Sequence, residues 1–468
     1  MYRVVALLVG SLAIAAGIVT SFALRFMPPA DTGYWLLPLL LVLPGCWLIG
    51  RCWGRMVAAV TFLAVSAGAY LLTAHFLPGR ILWQAAGSDS VHPPPATDSS
   101  PVSGAPLEAV VLDVPDIFRQ GPFRQERVLN VPPGFAVSVF AAGFKAPRFM
   151  AVGPGGDLYL SDPPTGKIFV VPDRDGNGIA DRVVPFATGL GRPHGLAFHG
   201  QDLYVAAIGQ LFRLRDSDGD LNSDKVETIS TDVPGAGGHW TRSVVVGPDS
   251  KLYLSAGSSC NACIEDDPER AAILRFDGSG GEAEIYATGL RNSVGLAFHP
   301  RTGELWASEN GRDWLGDDLP PEEINRIREG GDYGWPFCYG RRVPDPEFGS
   351  SERCRETISP EVLMQAHSAP LGIGFGFAAD FPERYRDMLY VAFHGSWNRS
   401  VPTGYKLVGI PFHGGRPAGP AVDLVTGWLQ GATVWGRPVD PVVGADGALY
   451  LTDDRAGAIY RITASTGK

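Results

Sequence analysis

Two acidic loops, two cysteines three positions apart and a handful of histidines carry most of the polar chemistry in this 468-residue chain. The loops run through Asp173, Asp175, Asn177 and Asp181, and through Asp216, Asp218, Asp220 and Asp224. Oxygen ligands at positions 1, 3, 5 and 9 of a Gly-containing loop suit Ca²⁺. The first loop has Val184 at position 12; the second has Glu227 there but no Gly at position 6. Asp-Gly hairpin turns are the competing reading. Cys260 and Cys263 fit a redox pair, half a zinc site or a short-loop disulfide, and no second Cys-x-x-Cys completes a zinc site. Ile264 in place of His rules out a c-type haem attachment. Cys338 and Cys354 are expected to form a second disulfide, and structural crosslinks are the favoured reading for all four. His199, His299 and His394 each follow Ala-Phe, which marks them as structural, whereas His194, His239 and His367 stand outside that pattern. An imidazole titrating near neutrality is suited to proton transfer.

The elements that position these groups are legible as a repeat. A short apolar strand, a Gly/Pro/Asp turn and a second strand beginning Leu-Tyr, or a close variant, recur six times, with Leu158, Leu203, Leu252, Leu305, Leu389 and Leu449 as anchors. Their spacing, 45 to 84 residues, brackets the roughly 40 to 50 expected for a four-stranded propeller blade with insertions. The prediction is an all-β six-bladed β-propeller, favoured over a sandwich, which has no need of one motif six times. The extended run at residues 135–140 is expected to supply the outer strand that closes the ring with the last blade.

Composition agrees. With 19% charged residues, 59 Gly and 39 Pro, the chain is neither disordered nor a helical array. A net charge of −10 disfavours nucleic acid as a partner. The charge is uneven: residues 1–80 carry five Arg and one Asp, about +4, leaving about −14 for the rest. Three apolar runs at residues 4–24, 34–50 and 56–77 are long enough to span hydrocarbon, so residues 1–80 read as an anchor of three transmembrane α-helices. Arg3, Arg51 and Arg55 outnumber Arg25 and Arg80, which places the C-terminal domain outside the cytoplasm, on the periplasmic or extracellular side of the inner membrane. Residues 81–122, rich in Ser and Pro, read as a linker, and residues 123–468 as the folded domain.

One ordered set of motifs is more specific than any of these. Gly238-His239-Trp240 is followed by residues 289–298 (GLRNSVGLAF), Ser308-Glu309-Asn310-Gly311-Arg312, residues 322–327 (EEINRI) and Gly330-Gly331-Asp332-Tyr333-Gly334-Trp335-Pro336. Together they resemble the glucose/sorbosone dehydrogenase family, six-bladed propellers that hold pyrroloquinoline quinone (PQQ) with Ca²⁺ over the mouth of the ring. The Asn261-Ala262-Cys263 segment and Gly395-Ser396-Trp397-Asn398-Arg399 look more like the sorbosone-type branch. The resemblance covers most of residues 130 to 465. It implies that His239 is the general base, and that Arg291 and Asn292 lie beside the reactive carbonyl of the cofactor. It implies further that the Gly311 and Arg312 carbonyls ligate the Ca²⁺ at the cofactor, and that Glu323 and Tyr333 ligate a second, structural Ca²⁺. Arg437 matches an arginine that clamps a PQQ carboxylate, and His194 falls near another cofactor contact. The chain departs from the soluble glucose dehydrogenases in having Ser258 where they have an acid that orients the base, and Trp397 or Asn398 near the place of their cofactor lysine.

The resulting expectation is an exported, membrane-anchored oxidoreductase acting on a sugar, polyol or sugar-derived aldehyde. With no haem motif and no dinucleotide fingerprint, its electrons would pass to an external quinone or cytochrome. Two other readings are open: a Ca²⁺-dependent lactonase-type propeller, and a non-catalytic propeller that binds glycans or a protein through Trp240, Trp314, Trp335 and Trp397.

Overall fold

Each Leu-aromatic pair lies in the second strand of a sheet of four or five strands, paired antiparallel to both its neighbours, and successive side chains of a strand face opposite sides. In this protein both sides are buried against neighbouring sheets. Leu203 packs toward the first blade and Tyr204 toward the third; Leu252 and Tyr253, Leu305 and Trp306, and Leu389 and Tyr390 repeat the arrangement one blade further on each time. Leu449 faces the fifth blade and Tyr450 the first, where Leu158 meets it, so the ring closes. The motif is therefore the packing unit of a propeller, one aliphatic and one aromatic knob per inter-blade layer.

The computed structural model describes residues 106–464 except Ala236. The innermost strands of the six blades are Met150–Val152, Gly195–His199, Arg242–Val246, Leu296–Phe298, Pro370–Phe375 and Pro438–Val443. Consecutive innermost strands touch, the last against the first. The sixth sheet is completed by Phe135–Ala142, which pairs with Ala458–Ala464, as the extended run at residues 135–140 predicts. Phe149, Val294, Leu371 and Val439, each beside or within an innermost strand, form one further buried cluster.

The linker boundary is corrected. Glu108–Val111 pairs with Val128–Val131, and Leu112 and Val114 are buried in the layer shared by blades five and six. The folded domain therefore starts by Glu108 rather than near Phe123, because Leu112 and Val114, two residues apart, present one apolar side within a Pro- and Asp-rich stretch. The three apolar runs lie outside the described residues. Among those described, no helix is long and apolar enough to cross a membrane.

Antiparallel pairing fixes where chemistry can gather. In every blade the innermost strand starts, and the second strand ends, at the same end of the sheet. The loops entering the innermost strands carry Arg148, His194, His239, Arg291 with Asn292, His367 and Arg437. The loops leaving the second strands carry Ser258 through Cys263, Asn310 through Trp314, His394 through Trp397, and Asp454.

Candidate functional site

His239 is held by the residue that replaces the expected acid. Its Nδ1 lies 2.8 Å from Ser258 Oγ and 3.1 Å from the Ser258 carbonyl. Ser258 Oγ donates its own proton to the Cys260 carbonyl at 2.7 Å, so it can only accept from the imidazole. The geometry fixes the tautomer: hydrogen on Nδ1, lone pair on Nε2. Desolvation, reinforced by the positive charge of Arg291, pushes the imidazole down to about 3, so it is neutral at physiological pH. Gly257 makes room for this arrangement, since a Cβ there would lie 2.6 Å from His239 Cβ and 2.8 Å from Asn292 Oδ1.

Arg291 is buried and clamped from two loops. Nε donates to the Asn261 carbonyl (2.8 Å) and Nη2 to Asn261 Oδ1 (2.9 Å) and Asp313 Oδ2 (3.2 Å), while Nη1 reaches the Asn310 carbonyl at 3.1 Å. Asn261 lies inside the short loop closed by the Cys260–Cys263 disulfide, and the Cys260 carbonyl is the group that fixes Ser258. One crosslinked loop thus orients both the base and the arginine. The second disulfide, Cys338–Cys354, also forms, so both cysteine pairs are crosslinks.

A cationic frame lies across the ring. The Arg192 and Arg148 guanidiniums lie 4.1 and 5.8 Å from the centre of the Trp240 ring. Arg437 donates to the His394 and Gly395 carbonyls at 3.1 and 3.3 Å. Asp454 answers this charge, bonded to Arg148 at 2.7 Å and to His394 Nε2 at 2.9 Å. Burial pushes His394 down to about 4 despite that carboxylate. His394 is held by this pairing, in keeping with the structural role its Ala-Phe context predicts. His299 is structural as well, with its ring against Phe375, Phe377 and Phe412 and its Nδ1 accepting from the Arg301 and Thr302 amides. His194 is fully buried against Phe149 and Trp240, and its Nε2 has no hydrogen-bond partner among the described residues, nor has the buried Arg148 Nε. His367 is tied by Nε2 to the Gly316 carbonyl at 2.8 Å.

The donor set fits a small polycarboxylate. Arg148, Arg192 and Arg437 supply the guanidiniums at this end of the ring; Arg148 is paired with Asp454, while the buried His194 Nε2 and Arg148 Nε have no hydrogen-bond partner among the described residues. PQQ carries three carboxylates and so matches this frame. For the ion at the cofactor, the Gly311 and Arg312 carbonyls accept no hydrogen bond among the described residues, which leaves them free as ligands. The Arg312 side chain is engaged elsewhere, donating to both Asp345 oxygens at 2.9 Å.

At the expected second ion site, Glu323 and Tyr333 are joined by Glu309, to which the sequence reading gave no role. Glu309 and Glu323 are directly opposed on adjacent strands and line one cavity of about 30 Å³ together with Tyr333, Gly311 and Tyr339. Desolvation raises Glu309 to about 8, with a smaller contribution from the Glu323 charge, and raises Glu323 to about 7. Such a cavity accommodates one ion or water. The Tyr333 hydroxyl is occupied, donating to the Arg326 carbonyl at 2.6 Å, so only the Tyr333 backbone oxygen could serve as a ligand. Asp173, Asp175 and Asp181 also converge, as do Asp216, Asp218 and Asp224, in exposed loops before the outer strands of blades one and two.

Arg148, Arg192, Asp313 and Asp454 escaped the sequence reading, and Asn261 and Glu309 stood within its motifs without a role. The available signal was positional: Arg148, like His194 and Arg437, stands one or two residues before an innermost strand.

The TrAA12-like family description matches residues 129–465. An uncharacterized protein of Borreliella burgdorferi is 31% identical over 350 residues, covering 71% of this chain and 90% of that protein. The pyrroloquinoline quinone-dependent pyranose dehydrogenase of Coprinopsis cinerea is 25% identical over 413 residues, covering 72% of this chain and 55% of that enzyme, so the chain spans about half of the enzyme's length. The solved holo form of the PQQ domain of the Coprinopsis cinerea pyranose dehydrogenase superimposes with a TM-score of 0.63 at 23% identity, over 76% of this chain and all of that domain.

Proposed function

Because the chain belongs to the TrAA12-like family, we propose that it is a PQQ- and Ca²⁺-dependent oxidoreductase that removes a hydride from a sugar or sugar-derived alcohol or aldehyde and passes the electrons to an external acceptor. The observation that carries this reading is the fixed tautomer of His239 beside Arg291, at the same end of the blades as Arg148, Arg192 and Arg437.

When bound, PQQ supplies a quinone carbonyl that accepts the hydride, and the Ca²⁺ beside it polarises that carbonyl as a Lewis acid. His239 Nε2 takes the hydroxyl proton of the substrate, a role open to it because the ring is neutral and its other nitrogen is committed to Ser258. Arg291, immobilised by Asn261 and Asp313, places a fixed positive charge where negative charge develops and needs no reorganisation to do so. Arg148, Arg192 and Arg437 would hold the cofactor carboxylates, with Gly311 and Arg312 carbonyls toward its ion.

The same proposal extends to location. Two disulfides fit an oxidising compartment, and the apolar runs at residues 4–24, 34–50 and 56–77 support an anchor that leaves the propeller outside the cytoplasm.

The test is reconstitution. The full chain, purified and stripped of cofactor, is given PQQ and Ca²⁺ separately and together, and dye reduction is followed with aldoses, sorbosone and polyols. Turnover that requires both additions is expected. Absence of turnover combined with no PQQ binding by absorbance titration would overturn the reading and favour a lactonase or a binding protein.

A further inference from the structure

Building on the sugar-oxidising reading, we propose that Trp314 and Trp397 form a saccharide platform at the rim of the site. It would hold the pyranose next to the one that reaches His239, so that the preferred substrate is the end of an oligosaccharide of all-equatorial pyranoses.

Of the four tryptophans that could stack on a sugar, Trp240 is covered by Arg192, and Trp335 lines the small cavity beside Glu309 and Glu323. Trp314 and Trp397 are different: they are 66% and 67% exposed, and their rings meet edge to face at 5.2 Å. Propeller aromatics are normally consumed in the layers between blades, as Trp306 and Trp428 are here. Two large indoles left in water side by side call for an occupant with an apolar face.

The platform is built rather than incidental. Trp314 sits at φ = 73°, in the left-handed region that a bulky side chain avoids, and strain of this kind is retained where surrounding contacts enforce it. Those contacts join two loops. Arg399 donates to the Asp317 carbonyl at 2.5 Å and to Asp318 Oδ1 at 3.0 Å, and the Ser400 amide and hydroxyl both bond the Asp317 carboxylate. His367 Nε2 fastens the Gly316 carbonyl from a third loop.

Placement then decides the ligand. Trp314 follows Asp313, which bonds Arg291, and Trp397 stands two residues after Gly395, whose carbonyl accepts from Arg437. The pair is therefore continuous with the candidate reaction site, yet exposed where Arg291 is buried. A ring that contacts His239 and Arg291 lies deep, and the next ring of the chain lies at the rim. An all-equatorial pyranose presents only axial C–H bonds on each face, weakly positive hydrogens that suit the negative face of an indole. The exposed Asp318 carboxylate is an acceptor for equatorial hydroxyls.

Binding to the cofactor-free full chain, by calorimetry and by tryptophan fluorescence with cellotriose and glucose as probes, keeps this test separate from turnover. Cellotriose is expected to bind about tenfold more tightly than glucose, with the Trp397→Ala variant abolishing the preference and Trp397→Phe keeping most of it. Circular dichroism and melting temperature establish that each variant is folded. Equal affinity for the two sugars in the wild type, or an undiminished preference in a folded Trp397→Ala protein, overturns the platform. If the chain shows no turnover with aldoses, sorbosone or polyols and no PQQ binding while the binding pattern holds, the dehydrogenase reading fails and the platform stands.

Discussion

At the scale of single residues, proton transfer depends on one imidazole whose tautomer is set by a serine. His239→Ala is expected to lower kcat/KM by at least about 100-fold, the usual share of a general base. Ser258→Ala leaves the Ser258 carbonyl as the remaining partner of Nδ1 and removes the oxygen at 2.8 Å, so a smaller loss, about tenfold, is expected. The pH profile has a definite sign. The ring is depressed to about 3 by burial and by Arg291, so lowering pH from 8 to 5 does not protonate it in the free enzyme. A kcat/KM profile measured in the reconstituted chain should therefore show no acid limb near the ordinary histidine value, about 6.5. An acid limb centred there, absent from His239→Gln, would show that the base titrates as an exposed histidine. Arg148 has a separate signature: Arg148→Gln should weaken PQQ binding in an absorbance titration by roughly tenfold or more, because it removes a charge-assisted contact and leaves Asp454 with His394 alone.

At the scale of elements, the Cys260–Cys263 loop is the part that joins base and arginine. Its backbone fixes Ser258 through the Cys260 carbonyl, and Asn261 supplies two acceptors to Arg291. Opening it by the double substitution Cys260→Ser, Cys263→Ser is expected to reduce kcat about tenfold or more, since small misplacements of catalytic groups cost that much. Melting temperature should change little, because a loop of this length constrains the unfolded chain weakly. A large fall in melting temperature with kcat preserved would assign the crosslink to stability instead. The sequence reading reached the blades more readily than the loops between them. Leu203-Tyr204 and its five relatives could be read because each pair obeys a local rule, strand alternation with both sides buried. His239 and Arg291 could be reached through motif resemblance. Arg148 and Asp454 could not, because the bond between them joins residues 306 positions apart. Glu309 was hidden for a related reason: its meaning comes from facing Glu323 across a strand pair. The start of the folded domain was missed because the burial of Leu112 and Val114 depends on the layer between blades five and six, far along the chain.

At the scale of the whole molecule, the ring is held by its closing strand, and Glu309 with Glu323 in the fourth blade predicts a further stabilising ion. Phe135–Ala142 contributes Val137 and Val139 to the layer between blades five and six and Phe140 to the layer between six and one. A chain beginning after Gly143 loses part of both layers and the outer strand of the last sheet, and should fail to give a cooperative melt. The ion makes a subtler prediction. Glu309 and Glu323 are buried on adjacent strands beside a cavity of one-ion size, and the Gly340 amide donates to Glu323 from the segment crosslinked by Cys338 and Cys354. Divalent charge there would neutralise both carboxylates and tie the strand pair to that segment. At a free Ca²⁺ concentration 100 times its dissociation constant, such binding stabilises the folded state by about 2.7 kcal/mol. Calorimetric melts of the cofactor-free chain should therefore rise by a few degrees on adding Ca²⁺ and fall back with a chelator. The Glu309→Gln, Glu323→Gln double variant separates this site from the exposed loops at Asp173 and Asp216, which it leaves intact. It should melt cooperatively and lose most of the Ca²⁺ response; an undiminished response would move the stabilising ion to those outer loops or to the Gly311 and Arg312 carbonyls.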